Sequence, residues 1–350
     1  MAKNKPVPIA PIPWGASGIL GAETWRKKMQ EVTAARWSEY MPVRDAISKS
    51  LDTIAGDLWV KNLKANKARI RAAGDAQVVH RGKGRGRACI LAGAGPSLAS
   101  NYEALYKTRN HIILTCVNSN LKFLLGKGIR PDLVVACDGD PIVAEHLDIG
   151  KTNIPLVCST LVSPEVLSTW EGPISFLWYD LDALSTREQR RWLQRDEHFA
   201  RPFPSSGSVF NMGFLFAHIV MHCTTFIFCG LDLAWWAKEE LHVGENDGKE
   251  GFKVLETALG DVETDYALMR DKLWLEETIS RMNVFVINAT EAGIFGIHEG
   301  GLVPGIAHMT LSNAIGLWNW NRAKWEEEQA WQKEESPRGF RQTSSAPSPQ

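Results

Sequence analysis

The chain has 350 residues, of which 44% are hydrophobic and 23% charged, and its formal net charge is −1. That composition is typical of a globular protein and excludes a disordered chain, and the balanced charge excludes a general electrostatic attraction to nucleic acid. Residues 1–15 lack the continuous apolar run of a signal peptide, and no window has the roughly 18 apolar residues of a membrane span. We therefore expect a cytoplasmic protein that binds neither nucleic acid nor membrane.

Six cysteines are scattered along the chain without a C-x-x-C pair. Most of them lie in or beside apolar runs, which is typical of small buried side chains rather than of metal ligands. We predict reduced thiols that belong to the core.

The first 80 residues are predicted to form two regions. Residues 1–20 are rich in proline and glycine and should form an extended arm, whereas residues 21–80 have a helical composition with several tryptophans. These tryptophans predict that the helical region packs on the main domain or on another subunit, so a homo-oligomer is an open alternative. Residues 74–88, rich in glycine and arginine, are predicted to be a flexible basic linker.

Residues 85–320 alternate short β-branched runs with amphipathic stretches. This alternation predicts βαβ units, and therefore an α/β fold with a Rossmann-like, mainly parallel sheet, helices on both faces and an N-terminal helical extension. We predict strands near residues 88–92, 111–117, 132–137, 155–159, 174–178, 224–229 and 283–288, and helices over residues 119–127, 183–195, 208–221 and 263–282. Residues 336–350 are low in apolar content and are predicted to be disordered.

A short glycine-rich turn, "GAGPSL" at residues 93–98, follows the first predicted strand. Ligands of parallel sheets bind beyond the carboxyl ends of the strands, where helix N-termini present backbone N–H groups. Gly93 and Gly95 carry no Cβ and would let the backbone approach a phosphate, while Pro96 would fix the turn and Ser97 would donate its hydroxyl. The alternative is an ordinary turn between a strand and a helix.

Two acidic residues, Asp138 and Asp140, end the predicted strand in "IRPDLVVACDGDP". Two carboxylates that are two residues apart on an extended backbone point to the same side. Mg²⁺ takes one or two carboxylates together with phosphate oxygens and waters, so the pair predicts a magnesium and nucleotide site at the same sheet edge as the glycine turn. The alternative is that Asp140 caps a helix that begins at Pro141 while Asp138 is only solvated.

Four ordered motifs together resemble one known family. They are "GAGPSL", "IRPDLVVACDGDP", "SSGSVFNMGFLFAHIVMHCTTFIFCGLDLAW" and "NVFVINATEAGIFGIHEG", within residues 85–305. Their order and spacing resemble those of the MptE-like 6-hydroxymethylpterin diphosphokinase family. Archaeal members of that family move a diphosphate from ATP to a hydroxymethylpterin. Other members are motility accessory factors that glycosylate flagellin from CMP-activated nonulosonic acids, and the glycine turn is similar to the nucleotide loop of sialyltransferases.

The resemblance implies roles for individual residues. The nucleotide would be bound by residues of two motifs and by one asparagine that faces the same crevice: Gly93, Ala94, Gly95, Pro96, Ser97, Leu98, Ser206, Gly207, Ser208 and Asn118. Asp138 and Asp140 would bind the metal and act in catalysis. The serines beside Gly207 would open a helix whose N-terminus meets a phosphate or carboxylate, or would only cap that helix.

Two further residues are candidates for catalysis under the same resemblance. Asp232 follows the predicted strand 224–229, where the family more often has Gln in place of Leu231, and it would either position an acceptor hydroxyl or cap its own loop. His298 would lie opposite the glycine turn if the last predicted strand pairs as expected. A histidine with a pKa near neutrality suits a general base.

Three functions remain open at this point. The first is a diphosphokinase-type transferase with Mg²⁺ as cofactor, ATP as donor and a small hydroxymethyl compound as acceptor. The second is a sialyltransferase-like glycosyltransferase that uses a CMP-activated nonulosonic acid and a glycan acceptor. The third is a non-catalytic binding or structural module. We expect the first, because the paired aspartates suit charge neutralisation across transferring phosphates.

Overall fold

The computed structural model describes residues 58–108, 110–180, 202–204, 207–234, 253–257, 260–264, 266–298 and 301–335. The predicted arm 1–20, the first part of the predicted helical region (residues 21–57), the predicted helix 183–195 and the predicted tail 336–350 lie outside these residues.

The described strands are β1 (Gly74–Asp75), β2 (Ala88–Ala92), β3 (Ile112–Val117), β4 (Leu133–Ala136), β5 (Leu156–Ser159), β6 (Ile174–Leu177), β7 (Tyr179–Asp180), β8 (Phe203–Pro204), β9 (Thr225–Cys229), β10 (Lys253–Thr257), β11 (Gly260–Thr264), β12 (Phe285–Asn288), β13 (Ile297–His298), β14 (Gly301–Leu302) and β15 (Ile306–His308). Nine of them form one sheet in the order β1-β6-β5-β4-β3-β2-β9-β12-β15, and each neighbouring pair is parallel. The others form two-stranded ladders, β7 with β8, β10 with β11 and β13 with β14. The predicted α/β fold with a Rossmann-like parallel sheet is confirmed.

The described helices span residues 58–72, Ala76–Val79, Leu98–Asn101, Leu121–Gly126, Ile142–Leu147, Pro164–Thr169, Val209–Leu215, Tyr266–Arg281 and Leu311–Glu335. Shorter 3-10 segments occur at Tyr102–Lys107 and Asn118–Asn120, and the helix Val209–Leu215 continues as a π-helical stretch, Phe216–Val220. Within the described ranges, no helix combines the length and the apolar character needed to cross a bilayer.

The sheet carries a hydrophobic core on each of its faces, because successive residues of a strand point to opposite sides. In β2, Ile90 belongs to the core on one face and Leu91 to the core on the other. The helix at residues 58–72 packs on the first face, and the helix Val209–Leu215 packs on the second. The predicted arrangement of helices on both faces is confirmed, and it buries the strands as a parallel sheet requires.

The apolar runs of the sequence predicted the strands well. The seven predicted strands are present as β2, β3, β4, β5, β6, β9 and β12, and the helices predicted over residues 119–127, 208–221 and 263–282 are also present. The edge strands β1 and β15 were not predicted, because two or three residues are too few to show a strand period. The long helix Leu311–Glu335 was not predicted either.

The stretch predicted to be a flexible linker is ordered, so that prediction was wrong. It contains β1 and the helix Ala76–Val79, which is capped by the side chain of Asp75. Gly84 N donates to Met221 O at 2.7 Å, and a Cβ at Gly84 would lie 2.2 Å from Cys223 Sγ. The glycine at this position is therefore explained by close packing against a neighbouring helix end and not by flexibility.

The helix at residues 58–72 is part of the main packing of the molecule. Leu63 and Ile70 are buried in the core on the first face of the sheet. Asn62 reaches over the carboxyl edge of the sheet, where its Nδ2 donates to Gly139 O at 2.9 Å. The predicted packing of the N-terminal region on the main domain is thus confirmed for these residues.

The six cysteines are free thiols, as predicted. They are buried except for Cys137, which is half-buried. Burial raises the pKa of Cys116 and Cys158, so these thiols stay protonated at neutral pH.

Candidate functional site

The strand order places a topological switch between β2 and β9. From β2 the chain adds β3, β4, β5 and β6 on one side of the sheet, and it later returns to add β9, β12 and β15 on the other. In open parallel sheets, ligands bind beyond the carboxyl ends of the strands at such a point. The glycine turn follows β2 and Asp232 follows β9, so two of the predicted motifs meet here.

Glycine is required at positions 93 and 95 because the loop after β9 lies directly against them. Gly93 N donates to Cys229 O and Gly95 N donates to Gly230 O, each at 2.8 Å. A Cβ at Gly93 would lie 2.3 Å from Gly230 O, and a Cβ at Gly95 would lie 2.2 Å from Asp232 Oδ1. These glycines therefore have a reason in the fold that involves no phosphate, and their place in a nucleotide loop stays a prediction.

The other residues of the glycine turn differ in exposure. Pro96 and Ser97 are half-buried, Ala94 is buried, and Leu98 is completely buried in the core. The backbone N–H groups of four turn residues are used within the protein: Gly93, Gly95, Ser97 and Leu98. A phosphate at this turn would therefore meet few free backbone donors.

Asp232 is a buried carboxylate held by the glycine turn. The residue is 2% exposed, and Ser97 donates its hydroxyl to Oδ1 at 2.5 Å and its backbone N–H to Oδ2 at 3.0 Å. Burial raises the pKa of Asp232 to about 6, although the hydrogen bonds from Ser97 act in the opposite direction. Among the described residues, no lysine or arginine forms an ion pair with it. Asp232 is therefore suited to accept a proton rather than to bind a surface cation.

The loop after β12 closes over Asp232 from the other side. Ile294 N donates to Asp232 O at 2.9 Å, and Leu231 N donates to Thr290 Oγ1 at 3.3 Å. Gly293 has a φ of 71°, and a Cβ there would lie 2.1 Å from Asp232 O. The side chain of Leu231, which stands where the family more often has Gln, is buried and contributes packing. Asp232 is thus enclosed by three loops.

Asp138 and Asp140 lie exposed on the turn after β4. Asp138 Oδ1 accepts a hydrogen bond from Asp140 N at 3.0 Å, and Asp140 Oδ1 accepts one from Ile142 N at 2.9 Å. Asp140 therefore caps the following helix, as one of the two interpretations of the sequence expected. The second oxygen of each carboxylate makes no described bond, and two such oxygens fit Mg²⁺, which completes its shell with waters and phosphate oxygens. In the part of the chain that is described, no group of three or more potential metal ligands occurs.

The turn after β4 is held by the helix at residues 58–72. Asn62 Nδ2 donates to Leu161 O at 3.1 Å in addition to Gly139 O, and Asn62 is only 3% exposed. A Cβ at Gly139 would lie 2.8 Å from Trp59 Cδ1. Sequence reasoning missed Asn62, because it lies in a helical segment without any recognisable motif.

Two asparagines lie between these loops. Asn118 is buried at the end of β3, and its Nδ2 lies 3.0 Å from Nδ1 of His146 in the helix that follows Asp140. Asn120 Nδ2 donates to Ala92 O at 3.1 Å and also to the carbonyl of Gly93. Sequence reasoning missed Asn120, although it stands two residues after Asn118. It connects the end of β3 to the start of the glycine turn.

Ser206 lies outside the described residues, but Gly207 and Ser208 of the same motif are described. Ser208 Oγ accepts a hydrogen bond from the first turn of its helix at 3.2 Å, so this serine is an N-cap. Gly207 has a φ of 82°, and a Cβ there would lie 3.0 Å from Asp271 Oδ1. That carboxylate pairs with Arg270 at 2.9 Å. The start of this helix therefore already faces a carboxylate of the protein itself.

The pKa of Cys137 indicates that the side chains of Asp138 and Asp271 both lie near this thiol. Burial raises the pKa of the Cys137 thiol, and the carboxylates of Asp138 and Asp271 raise it further. Asp271 occurs in none of the sequence motifs, and only the folded chain brings it to this edge of the sheet.

His298 lies half-buried in β13, which pairs with β14 and does not join the main sheet. The strand that precedes its motif, β12, does pair with β9 as expected. The general-base role of His298 stays a prediction.

Comparisons with known proteins give a family match and a similar solved structure. The family model described as "6-hydroxymethylpterin diphosphokinase MptE-like" matches residues 59–238, just over half of the chain. The match begins in the helix at residues 58–72, which the sequence motifs had left outside the resemblance. Among solved structures, a MAf glycosyltransferase from Magnetospirillum magneticum AMB-1 is similar, with 14% identity and a TM-score of 0.49. The similarity covers 77% of this chain and 42% of that one, so this chain spans less than half of that protein's length. No curated protein matches the sequence.

Proposed function

The chain belongs to the MptE-like family, and from this premise we propose that it moves a diphosphate from a magnesium-bound nucleoside triphosphate to a small hydroxymethyl acceptor. Family membership supports a transferase-type function. The observation that carries the finer assignment is the pair of exposed carboxylates, Asp138 and Asp140, at the carboxyl edge of the parallel sheet. Paired carboxylates at this edge suit phosphate chemistry that requires charge neutralisation.

Asp138 and Asp140 would bind Mg²⁺ through the oxygens that the backbone N–H groups leave open. When bound, Mg²⁺ supplies positive charge that offsets the charge of the phosphate oxygens during transfer. The hydrogen bonds from Asp140 N and Ile142 N orient both carboxylates before any ligand arrives. Such preorganisation lowers the cost of assembling the site.

The remaining residues of this edge would position the donor and the acceptor. Asn118 and His146 lie between the glycine turn and the turn after β4, where they can donate or accept hydrogen bonds. Arg270 is partly exposed beside Gly207 and offers a guanidinium to phosphate oxygens. Ser97 borders the same crevice from the glycine turn.

Glycosyl transfer from a CMP-activated sugar is the second candidate, and one observation favours it. A sialyltransferase-like reaction does not depend on a metal, and it requires a group that takes the proton of the acceptor hydroxyl. Asp232 has the burial and the raised pKa that suit such a group.

Calorimetry together with a transfer assay, using ATP and 6-hydroxymethylpterin, tests the proposal. We expect Mg²⁺ and ATP to bind with positive coupling, excess chelator to abolish transfer, and Asp138→Asn to lower the rate by about 100-fold or more. Asp148→Asn is the matched control, because Asp148 is an exposed carboxylate at the other end of the helix Ile142–Leu147.

Full activity in excess chelator, with a CMP-linked sugar consumed in preference to ATP, would replace this proposal with glycosyl transfer. Binding of neither nucleotide would instead support a non-catalytic module.

A further inference from the structure

The hydroxyl of Ser97 is a hydrogen-bond donor to the carboxylate of Asp232. Ser97 donates its single hydroxyl proton to Asp232 Oδ1, with an Oγ–Oδ1 distance of 2.5 Å, and its backbone N–H donates to Asp232 Oδ2 at 3.0 Å. A serine hydroxyl has one proton and two lone pairs. Because the proton is directed inward to an ionised carboxylate, the half-buried Ser97 can offer only lone pairs to the crevice.

This polarity decides what Ser97 can bind. Phosphate oxygens need a donor, and the charge of Asp232, without an ion-pair partner among the described side chains, would repel them. An alcohol group can donate a hydrogen bond to Ser97 Oγ. The sequence had predicted Ser97 as a hydroxyl donor to phosphate, and the geometry gives it the opposite role.

We propose that Ser97 binds the hydroxyl of the acceptor substrate and that Asp232, behind Ser97, receives the proton released in the transfer; this inference rests on the proposed transferase function. Ser97 is then a catalytic residue that touches the substrate. Asp232 is a positioning residue that acts through Ser97.

The proposed step conserves protons and electrons. The acceptor O–H bond breaks while its oxygen forms a bond to the β-phosphorus of the nucleoside triphosphate, and the nucleoside monophosphate leaves with the electron pair of the broken P–O bond. The acceptor proton moves to Ser97 Oγ as the original proton of Ser97 moves to Asp232 Oδ1. Asp232 later returns the proton to solvent.

The surroundings of Asp232 suit this role. With a pKa of about 6, raised by burial, the carboxylate is mostly ionised at pH 7 and accepts a proton readily. The nearby Cys229 thiol has a pKa raised by its own burial and by Asp232, so it stays neutral and does not compete for the proton. Gly95 leaves the space that lets Ser97 reach the carboxylate, since a Cβ there would collide with Oδ1.

Two pterins that differ by one hydroxyl test the inference on the full-length protein. Binding of 6-hydroxymethylpterin and of 6-methylpterin is followed by pterin fluorescence, and binding of Mg-ATP by calorimetry. We expect the parent to prefer the hydroxymethyl compound by about 10-fold, and Ser97→Ala to lose that preference while binding Mg-ATP as the parent does. Ser97→Thr keeps the hydroxyl and should keep the preference.

Asp232→Asn gives a result that a merely structural role would not. The Asn carbonyl must face the fixed N–H of Ser97, so its amide would donate to Ser97 Oγ and turn the hydroxyl proton toward the crevice. This variant should lose the preference for the hydroxymethyl compound and bind inorganic phosphate more tightly than the parent, and adding Ser97→Ala should remove that gain.

The inference is overturned if the parent does not distinguish the two pterins, or if Ser97→Ala weakens Mg-ATP binding and leaves the distinction intact. If Mg²⁺ and ATP bind to the parent without positive coupling, the proposed diphosphate transfer is contradicted instead, so the two failures are distinguishable.

Discussion

Two carboxylate sites lie on the same edge of the sheet and differ in nearly every physical respect. Asp232, after β9, is 2% exposed and has both oxygens bound by Ser97. Asp138, after β4, is exposed and has one oxygen bound to a backbone N–H. Burial raises the pKa of the first and suits it to proton transfer, whereas exposure leaves the second suited to a cation. The surroundings, not the residue type, separate the two roles.

The largest effect should come from filling the space beside the buried carboxylate. Gly95→Ala places a Cβ 2.2 Å from Asp232 Oδ1 and 2.9 Å from Gly230 O, so we expect a loss of about 3 kcal/mol in the free energy of unfolding. Gly126→Ala is the control, because a Cβ at Gly126 meets nothing within 4 Å and should be neutral or slightly stabilising. Urea unfolding measures both, and equal stabilities would show that the loop contact is soft.

An effect of similar size should appear in the pH dependence of stability when Asp232→Asn is compared with the parent. Because the folded-state pKa of about 6 exceeds that of the unfolded chain, the folded protein binds an extra proton as the pH falls from about 7 to 4. The contribution of Asp232 to the free energy of unfolding therefore rises by about 3 kcal/mol across that window. Urea unfolding at several pH values should show that the variant lacks this rise.

His80 acts in the opposite direction in the same pH window. Burial lowers the pKa of His80 to about 4, so its contribution to stability is lost as the pH falls from about 6.5 to 4. Both proteins contain His80, so the difference between them isolates Asp232. Parallel pH profiles for the parent and Asp232→Asn would contradict a raised pKa.

The exposed site of Asp138 and Asp140 can be tested through Asn62, which holds the turn after β4. Asn62→Ala should cost about 2 kcal/mol, because two buried hydrogen bonds are lost, and should also weaken binding of Mg-ATP several-fold by loosening the turn at Gly139. Asn66→Ala is a matched control on the same helix, since Asn66 Nδ2 donates to Val162 O at 2.7 Å and does not hold that turn. Calorimetry should therefore show weaker Mg-ATP binding for Asn62→Ala than for Asn66→Ala, even where the two variants are equally stable. Equal weakening of Mg-ATP binding would show that the contact of Asn62 with the turn does not support the site.

The smallest effect on stability should come from Asp138→Asn. Asn keeps an oxygen that accepts the hydrogen bond from Asp140 N, and the residue is exposed, so we expect a change within about 0.5 kcal/mol. Thermal unfolding without metal checks this value. A large loss would mean that the charge of Asp138 is structural and would remove the contrast with Asp232.

The sheet and the meeting of the motifs could be predicted because both depend on local information. β2, β4 and β9 are buried apolar runs, and Gly93, Asp138 and Asp232 follow them. In a parallel sheet the carboxyl ends of all strands lie at one edge, so the motifs had to share that edge.

The sequence could not show why positions 93 and 95 are glycine, because the reason lies in contacts between distant parts of the chain. From the sequence alone, Gly95 was expected to let the backbone approach a phosphate. The structure gives this glycine a different reason, since the atoms that crowd it belong to Gly230 and Asp232. Asn62 and Asp271 were missed for the same reason, because neither lies in a motif and only the fold brings them to the site.

The two outermost strands of the main sheet are also its short ones. β1 has two residues and β15 has three, whereas β3 in the interior has six. An edge strand presents unpaired N–H and C=O groups, and a long flat edge is a template on which another chain can add a strand. The short strands β1 and β15 present few such groups to a strand that would add to the sheet. Within the described residues, the main sheet therefore offers little edge on which a second copy of the chain could add a strand.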